Sequence, residues 1–247
     1  MVRRWMLVGL LVLLAGCDSG GKVNPAPAPA DPLAQVRAAA AKTAGVPAHL
    51  TLSVPNVEVA GDTDPVGRTL ALTVTTGTGS ETIESKVRVV GDDAWMTLGK
   101  TYLPNLDPTK FIWFPTSDFA AASLLHLGDT FDPAGIKGLS AAMTTATRTG
   151  EGVYAGKLDF TVASPGVSRG LLPVTAEQLE RHGGLSQSVP YEASVDPQGY
   201  LTALTVTLPT FASTARFSAF AKPVAIGKPG ATEVVEVPDA LRRLLSR

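Results

Sequence analysis

Four groups of residues in this 247-residue chain could carry chemistry, and each would call for a different reaction. Gly166-Val167-Ser168-Arg169-Gly170 has the G-x-S-x-G spacing of a nucleophile elbow, in which a strained turn lifts a serine hydroxyl above a sheet. That chemistry needs an acid and then a histidine further along the chain. After Ser168 the only histidine is His182, with Glu177 and Glu180 between them, all on or beside one short helical stretch. The motif therefore reads as a Gly-rich loop after a strand, and an enzyme is not expected. Asp62, Asp64, Asp92 and Asp93 could suggest calcium, but they lack the spaced acidic loop with its closing glutamate. They read as turn residues. His49, His126 and His182 lie far apart, and a single cysteine forms no Cys cluster, so neither a metal site nor a cofactor is expected. Each histidine reads as a surface or internally satisfied side chain; His126 stands out because it lies in an apolar segment. Nothing favours a glycosidase carboxylate pair.

The fourth group is the cysteine itself. Cys17 closes the run Leu14-Ala15-Gly16-Cys17, which matches all four positions of the bacterial lipobox. Upstream lie the basic Arg3 and Arg4 and an apolar stretch from Trp5 to Leu14. That stretch is half the length of about 20 residues that a membrane-spanning helix needs, and it fits the h-region of a secretory signal peptide. Residues 1–16 are expected to be a lipoprotein signal peptide, and the Cys17 thiol to carry a diacylglycerol. Each buried acyl CH2 contributes about 0.8 kcal/mol, so two or more chains make a stable anchor. Residues 17–31 hold alternating Pro25, Pro27 and Pro29 and read as an extended Ala/Pro tether. The expected location is the extracytoplasmic side of a membrane, within the cell envelope.

Composition agrees. The chain is 45% hydrophobic and 17% charged, which suits a folded domain rather than a disordered one. A net charge of -1 offers no concentrated basic face, so nucleic acid is excluded as a partner.

The elements that must position any site occupy residues 32–247. Asp31-Pro32 opens a helix over Leu33–Lys42, and Gly45 and Pro47 stop it. Alternating runs at Leu50–Val54 and Leu70–Val74 read as strands, and Val87–Leu98 as a hairpin turning at Gly91-Asp92-Asp93. Lys110–Leu127 is apolar and does not alternate cleanly; it reads either as a strand with a buried helix or as a loop over a cavity. A second helix is expected from Asp132-Pro133 to Gly150, with Ile136, Leu139 and Met143 on one face. Strands follow at Val153–Val162, Val189–Val195 and Tyr200–Leu208, with a short capped helix at Thr175–Arg181. Phe217–Phe220 and Pro223–Ile226 read as a further edge. The expected fold is α+β: a large curved antiparallel sheet, an unclosed half-barrel, with helices over its concave face.

Three segments carry a family resemblance. They are Val87–Leu98; Asp132–Ile136 continuing through Gly150 to Val153–Asp159; and Val195–Leu201 followed by Phe220–Ile226. With the lipobox and tether, this order resembles the LppX/LprG lipoproteins of mycobacteria, relatives of the LolA carrier, and it suggests an actinobacterial source. The resemblance implies a LolA-like fold with an apolar gap between sheet and helices. It also implies a function, binding a lipid or lipoglycan and carrying it within the envelope. Phe114, Phe119, Leu124, Leu125, Ile136, Leu139 and Met143 would line the gap, and Lys110–Leu127 would gate it. Read from the residues alone, the same side chains would fill an ordinary core, because apolar residues at helical spacing usually do. The expected partners are the membrane, held through Cys17, and a lipid ligand, with the chain a monomer. The alternative is an envelope sensor of the same fold that binds a protein regulator.

Overall fold

The computed structural model describes residues 31–100, 106–116, 131–161 and 187–237. The chain divides into two units, Met1–Ala30 and Asp31–Arg247, and the described residues belong to the second. Helix α1 (Pro32–Thr43) begins where the Asp31 carboxylate accepts hydrogen bonds from the backbone N–H groups of Leu33 and Ala34. Its alanines favour helix, and Val36, Ala39, Ala40 and Thr43 form its buried face.

The strands form two antiparallel meanders. The first comprises β1 (Ala48–Val54), β2 (Val57–Asp64), β3 (Thr69–Thr76), β4 (Ile83–Val90), β5 (Asp93–Met96) and β6 (Phe111–Pro115). The second comprises β7 (Met143–Gly150), β8 (Val153–Leu158), β9 (Val189–Val195), β10 (Leu201–Thr207) and β11 (Ala212–Ser218). They join where β1 pairs antiparallel with β11, and a short β12 (Val234–Val235) pairs parallel with β6. The result is one twelve-stranded sheet whose outermost strands, β7 and β12, do not meet, so it stays unclosed. No helix among the described residues is long and apolar enough to cross a membrane.

Tight turns set the register. Pro55-Asn56 joins β1 to β2, with Asn56 at φ 61°, so that Val54 pairs with Val57. Gly91-Asp92 does the same between Val90 and Asp93, as the sequence predicts. Alternation then sends one set of side chains inward and the other outward. Inward lie Leu50, Leu52, Leu70, Leu72, Val87 and Val89, which share one core with α1 and with β8–β11.

Three expectations need correction, and one strand goes unannounced. The second helix is α2 (Ile136–Ala142) alone, and Met143–Gly150 is strand β7. Threonines at 144, 145, 147 and 149 are β-branched and favour a strand. The Arg37 guanidinium donates to Met143 O and Asp159 N–H to Ala142 O, which fixes the change of direction. The sheet is mixed, through its one parallel pair at β12. The expected edge at Phe217–Phe220 and Pro223–Ile226 does not form: Phe217 and Ser218 end β11, an interior strand between β1 and β10, and Pro223–Ile226 is no strand but starts a strap that runs outside the sheet to β12. Finally β2 is a strand that its sparse apolar pattern did not announce. Cys17, the Ser168 loop and the helix expected at Thr175–Arg181 lie outside the described residues.

Candidate functional site

Two sites face opposite sides of the sheet. On the inner side, the register aligns Ala48, Thr63, Leu70, Val89, Ala94 and Phe114 in one row across β1–β6. A second row holds Phe217, Leu50, Gly61, Leu72, Val87 and Met96. Nothing charged stands in either row. Helices α1 and α2 pack together, and α1 lies on β7, β9 and β10. An apolar ligand needs such a surface, because an unpaired polar group there costs about 1–3 kcal/mol.

Of the seven residues expected to line the gap, Ile136, Leu139 and Met143 come together in the shared core, each 0–1% exposed. Phe114 is buried on the same inner face but at the β5–β6 end, outside that cluster. Phe119, Leu124 and Leu125 lie outside the described residues. Between α1, the start of α2 and β1 the described residues leave a cavity of about 20 Å³, lined by Thr43, Leu50, Phe131, Ile136 and Phe217 among others. That is room for about one water molecule. A larger apolar cleft of about 290 Å³ lies at the ends of β9 and β10, lined by Ser188, Val189, Pro190, Thr207, Leu208 and Pro209. Val189 and Leu208 belong to the core, so this cleft reaches it from the side.

Polar groups around the core are nearly all satisfied. Thr43 Oγ1 accepts from Leu201 N–H at 2.8 Å, and Tyr191 donates to Thr145 O at 3.0 Å. Burial pushes the Tyr191 phenol up to about 12, against the smaller downward pull of Arg37. Ser213 Oγ is buried on the inner side of β11 without a partner among the described residues.

The outer side is charged. Its central row is Ser218, His49, Asp62, Ala71, Arg88, Trp95 and Trp113. Residues 222–233 cross this row as a strap. Lys228 donates to Asp93 at 2.7 Å, Arg88 to Gly227 O at 3.3 Å, and Lys110 to Thr232 O at 2.9 Å. Hydrogen bonds from Lys228 and from the Trp113 indole hold the Asp93 carboxyl below the usual carboxylate range. Between strap and sheet lies a groove of about 450 Å³, and in it His49 Nδ1 pairs with Asp62 at 2.8 Å.

The four aspartates read as turn residues divide. Asp64 caps a turn through Val66 and Gly67 N–H, and Asp92 sits in the β4–β5 turn and pairs with Arg68. Asp62 and Asp93 stand on strands instead. Among the described residues no group of three metal-ligating side chains occurs. The His49–Asp62 pair was readable from Pro55-Asn56, because a two-residue turn there sets 49 opposite 62. The strap carries no such signal, since it pairs with nothing before β12.

No protein-family model matches the chain, and no curated protein matches it. Solved structures do. LprF from Mycobacterium bovis aligns with a TM-score of 0.54 at 13% identity, over 81% of this chain and 97% of that one. The lipoprotein LppX of Mycobacterium tuberculosis aligns at 0.45 and 16% identity, over 79% and 97%. The unclosed sheet with its two helices is thus the fold seen in LprF, the architecture that the LppX/LprG resemblance implied.

Proposed function

We propose that the chain is a membrane-anchored lipoprotein, held through Cys17, that binds a lipid or lipoglycan by its acyl chains and carries it within the cell envelope. The observation that carries this reading is the uncharged inner face of an unclosed sheet with an apolar cleft at its side. The fold shared with LprF and the Leu14–Cys17 motif support it. Residues 1–16 are the removed leader, 17–31 the tether and 32–247 the binding domain. The mechanism needs only shape and burial. Acyl chains leave one apolar medium for another, so loading is close to thermoneutral and reversible. Phe114, Ile136, Leu139 and Met143 line the site in this reading, with Phe119, Leu124 and Leu125 as its further candidate lining residues. No step calls for a nucleophile or a metal.

The test is native mass spectrometry with lipid extraction on the domain expressed without its leader and its single cysteine. A bound lipid near one per chain, displaced in Leu208→Trp, is the expected result. Cys17→Ser should abolish incorporation of labelled palmitate in cells. If lipids of the source organism fail to bind, the carrier reading falls.

One observation favours a second reading. The space under α1 holds only about 20 Å³ among the described residues, as in a filled core. A sensor that binds a protein regulator would need no more. Its effect would survive Leu208→Trp and disappear on changing an exposed patch.

A further inference from the structure

The outer groove is built around two cations that no carboxylate answers among the described residues. Four basic side chains line it: His49, Arg88, Lys222 and Lys228. His49 is matched by Asp62, and Lys228 by Asp93. Among the described residues Arg88 meets only the Gly227 carbonyl and the face of Phe111, 5.4 Å from the ring centre. Lys222 has no ion-pair partner among the described residues.

The groove is held open from both ends. At one end Phe220 stacks on Tyr200 with ring centres 4.4 Å apart, and Lys42 sits 4.1 Å over the Tyr200 ring. The flanking Ala219 and Ala221 take φ of 54° and 55°, a strained choice for alanine that the stack and the Ala221 N–H bond to Pro47 O maintain. At the other end Lys228, Lys110 and the β12–β6 pairing fix the strap. Between these anchors the floor is Ala71, whose methyl leaves the space above it unfilled where the same row carries Arg88 and Trp95.

We propose that this groove binds the phosphate of a small phosphorylated polyol, either free or as a phospholipid headgroup. Two uncompensated cations suit a phosphate, and the guanidinium fork matches its oxygens. A volume of about 450 Å³ exceeds what one phosphate fills and leaves room for a glycerol- or sugar-sized group. The His49–Asp62 pair supplies hydrogen-bonding atoms for its hydroxyls. The site lies on the face opposite the core and stands independently of the acyl-chain reading.

The test is calorimetric titration of the full chain in neutral detergent. Glycerol 1-phosphate represents the free ester, glycerophosphoglycerol the lipid headgroup, and glycerol is the uncharged control. One phosphate ester should bind per chain, glycerol should not, and added salt should weaken binding. Lys222→Gln should weaken it about tenfold, the loss of one charge-assisted bond. Ala71→Leu should block it by filling the floor. Both substitutions lie on the outer face, so the melting temperature should stay near that of the parent. Preference between the two esters tells the free source from the lipid one. The proposal is overturned if neither ester binds, or if both variants bind as the parent does.

Discussion

Tyr191 shows how one side chain couples the core to pH. Its phenol ionises near 10 when exposed and is pushed up to about 12 here. The folded form therefore keeps a proton that the unfolded chain has lost, and stability falls as pH rises from about 10 through about 12. Below 10 the contribution is fully present. Urea unfolding of the parent should show this alkaline decline, at about 1.4 kcal/mol per pH unit at its steepest. Tyr191→Phe should remove it, at a cost of about 1 kcal/mol near neutral pH for the lost bond to Thr145. Beneath the ring lies Gly156, where a Cβ would meet Thr145 O at 2.0 Å and the Tyr191 ring at 2.7 Å. Gly156→Ala should destabilise by about 1–3 kcal/mol in the same assay, as an overpacked site does. The sequence showed Tyr191 as a strand residue; it could not show that ring, glycine and carbonyl meet, because they come from three strands.

At the scale of elements, local signals served where local physics decides. Asp31-Pro32 marks the start of α1, and Gly91-Asp92 marks a hairpin, because a cap and a turn need only neighbouring residues. Asp31→Ala should lower stability by about 1 kcal/mol, measured by thermal unfolding. The α2–β7 junction was misread for the opposite reason. Ile136, Leu139 and Met143 keep helical spacing, but Met143 is already the first residue of β7, and Arg37 from a distant helix holds its carbonyl. The inner-face residues were legible as apolar, yet their division between core and cavity depends on packing that no periodicity encodes. The strap was invisible for want of alternation. It nevertheless protects an edge, since β6 would otherwise offer unpaired backbone beside the exposed Trp113. Ending the chain after Gly227 should leave the core folded and promote self-association, seen as a concentration-dependent shift in sedimentation.

The whole molecule separates two chemistries by the thickness of one sheet. Because side chains alternate, the inner row through Leu70 and Phe114 and the outer row through Asp62 and Arg88 are offset by a single residue. A ligand held on either face should stabilise the fold by mass action, by about 2.7 kcal/mol at a hundredfold excess over its dissociation constant. Scanning calorimetry should therefore show that stripping bound lipid lowers the melting temperature. A phosphate ester should raise it in the parent and leave Ala71→Leu unmoved.

The clasp from β11 to β6 also fixes an order of events. Every strand up to β6 pairs with a near neighbour in sequence, whereas β1 must wait for β11, more than 150 residues later. Residues 234–235 arrive later still, and only then is the margin of β6 covered. A chain that emerges from its amino end thus waits unfinished, one seam open and one margin bare, until β11 and then residues 234–235 appear. Its most vulnerable moment comes just before these pairings close, and the segment from β11 to β12 decides how long that moment lasts.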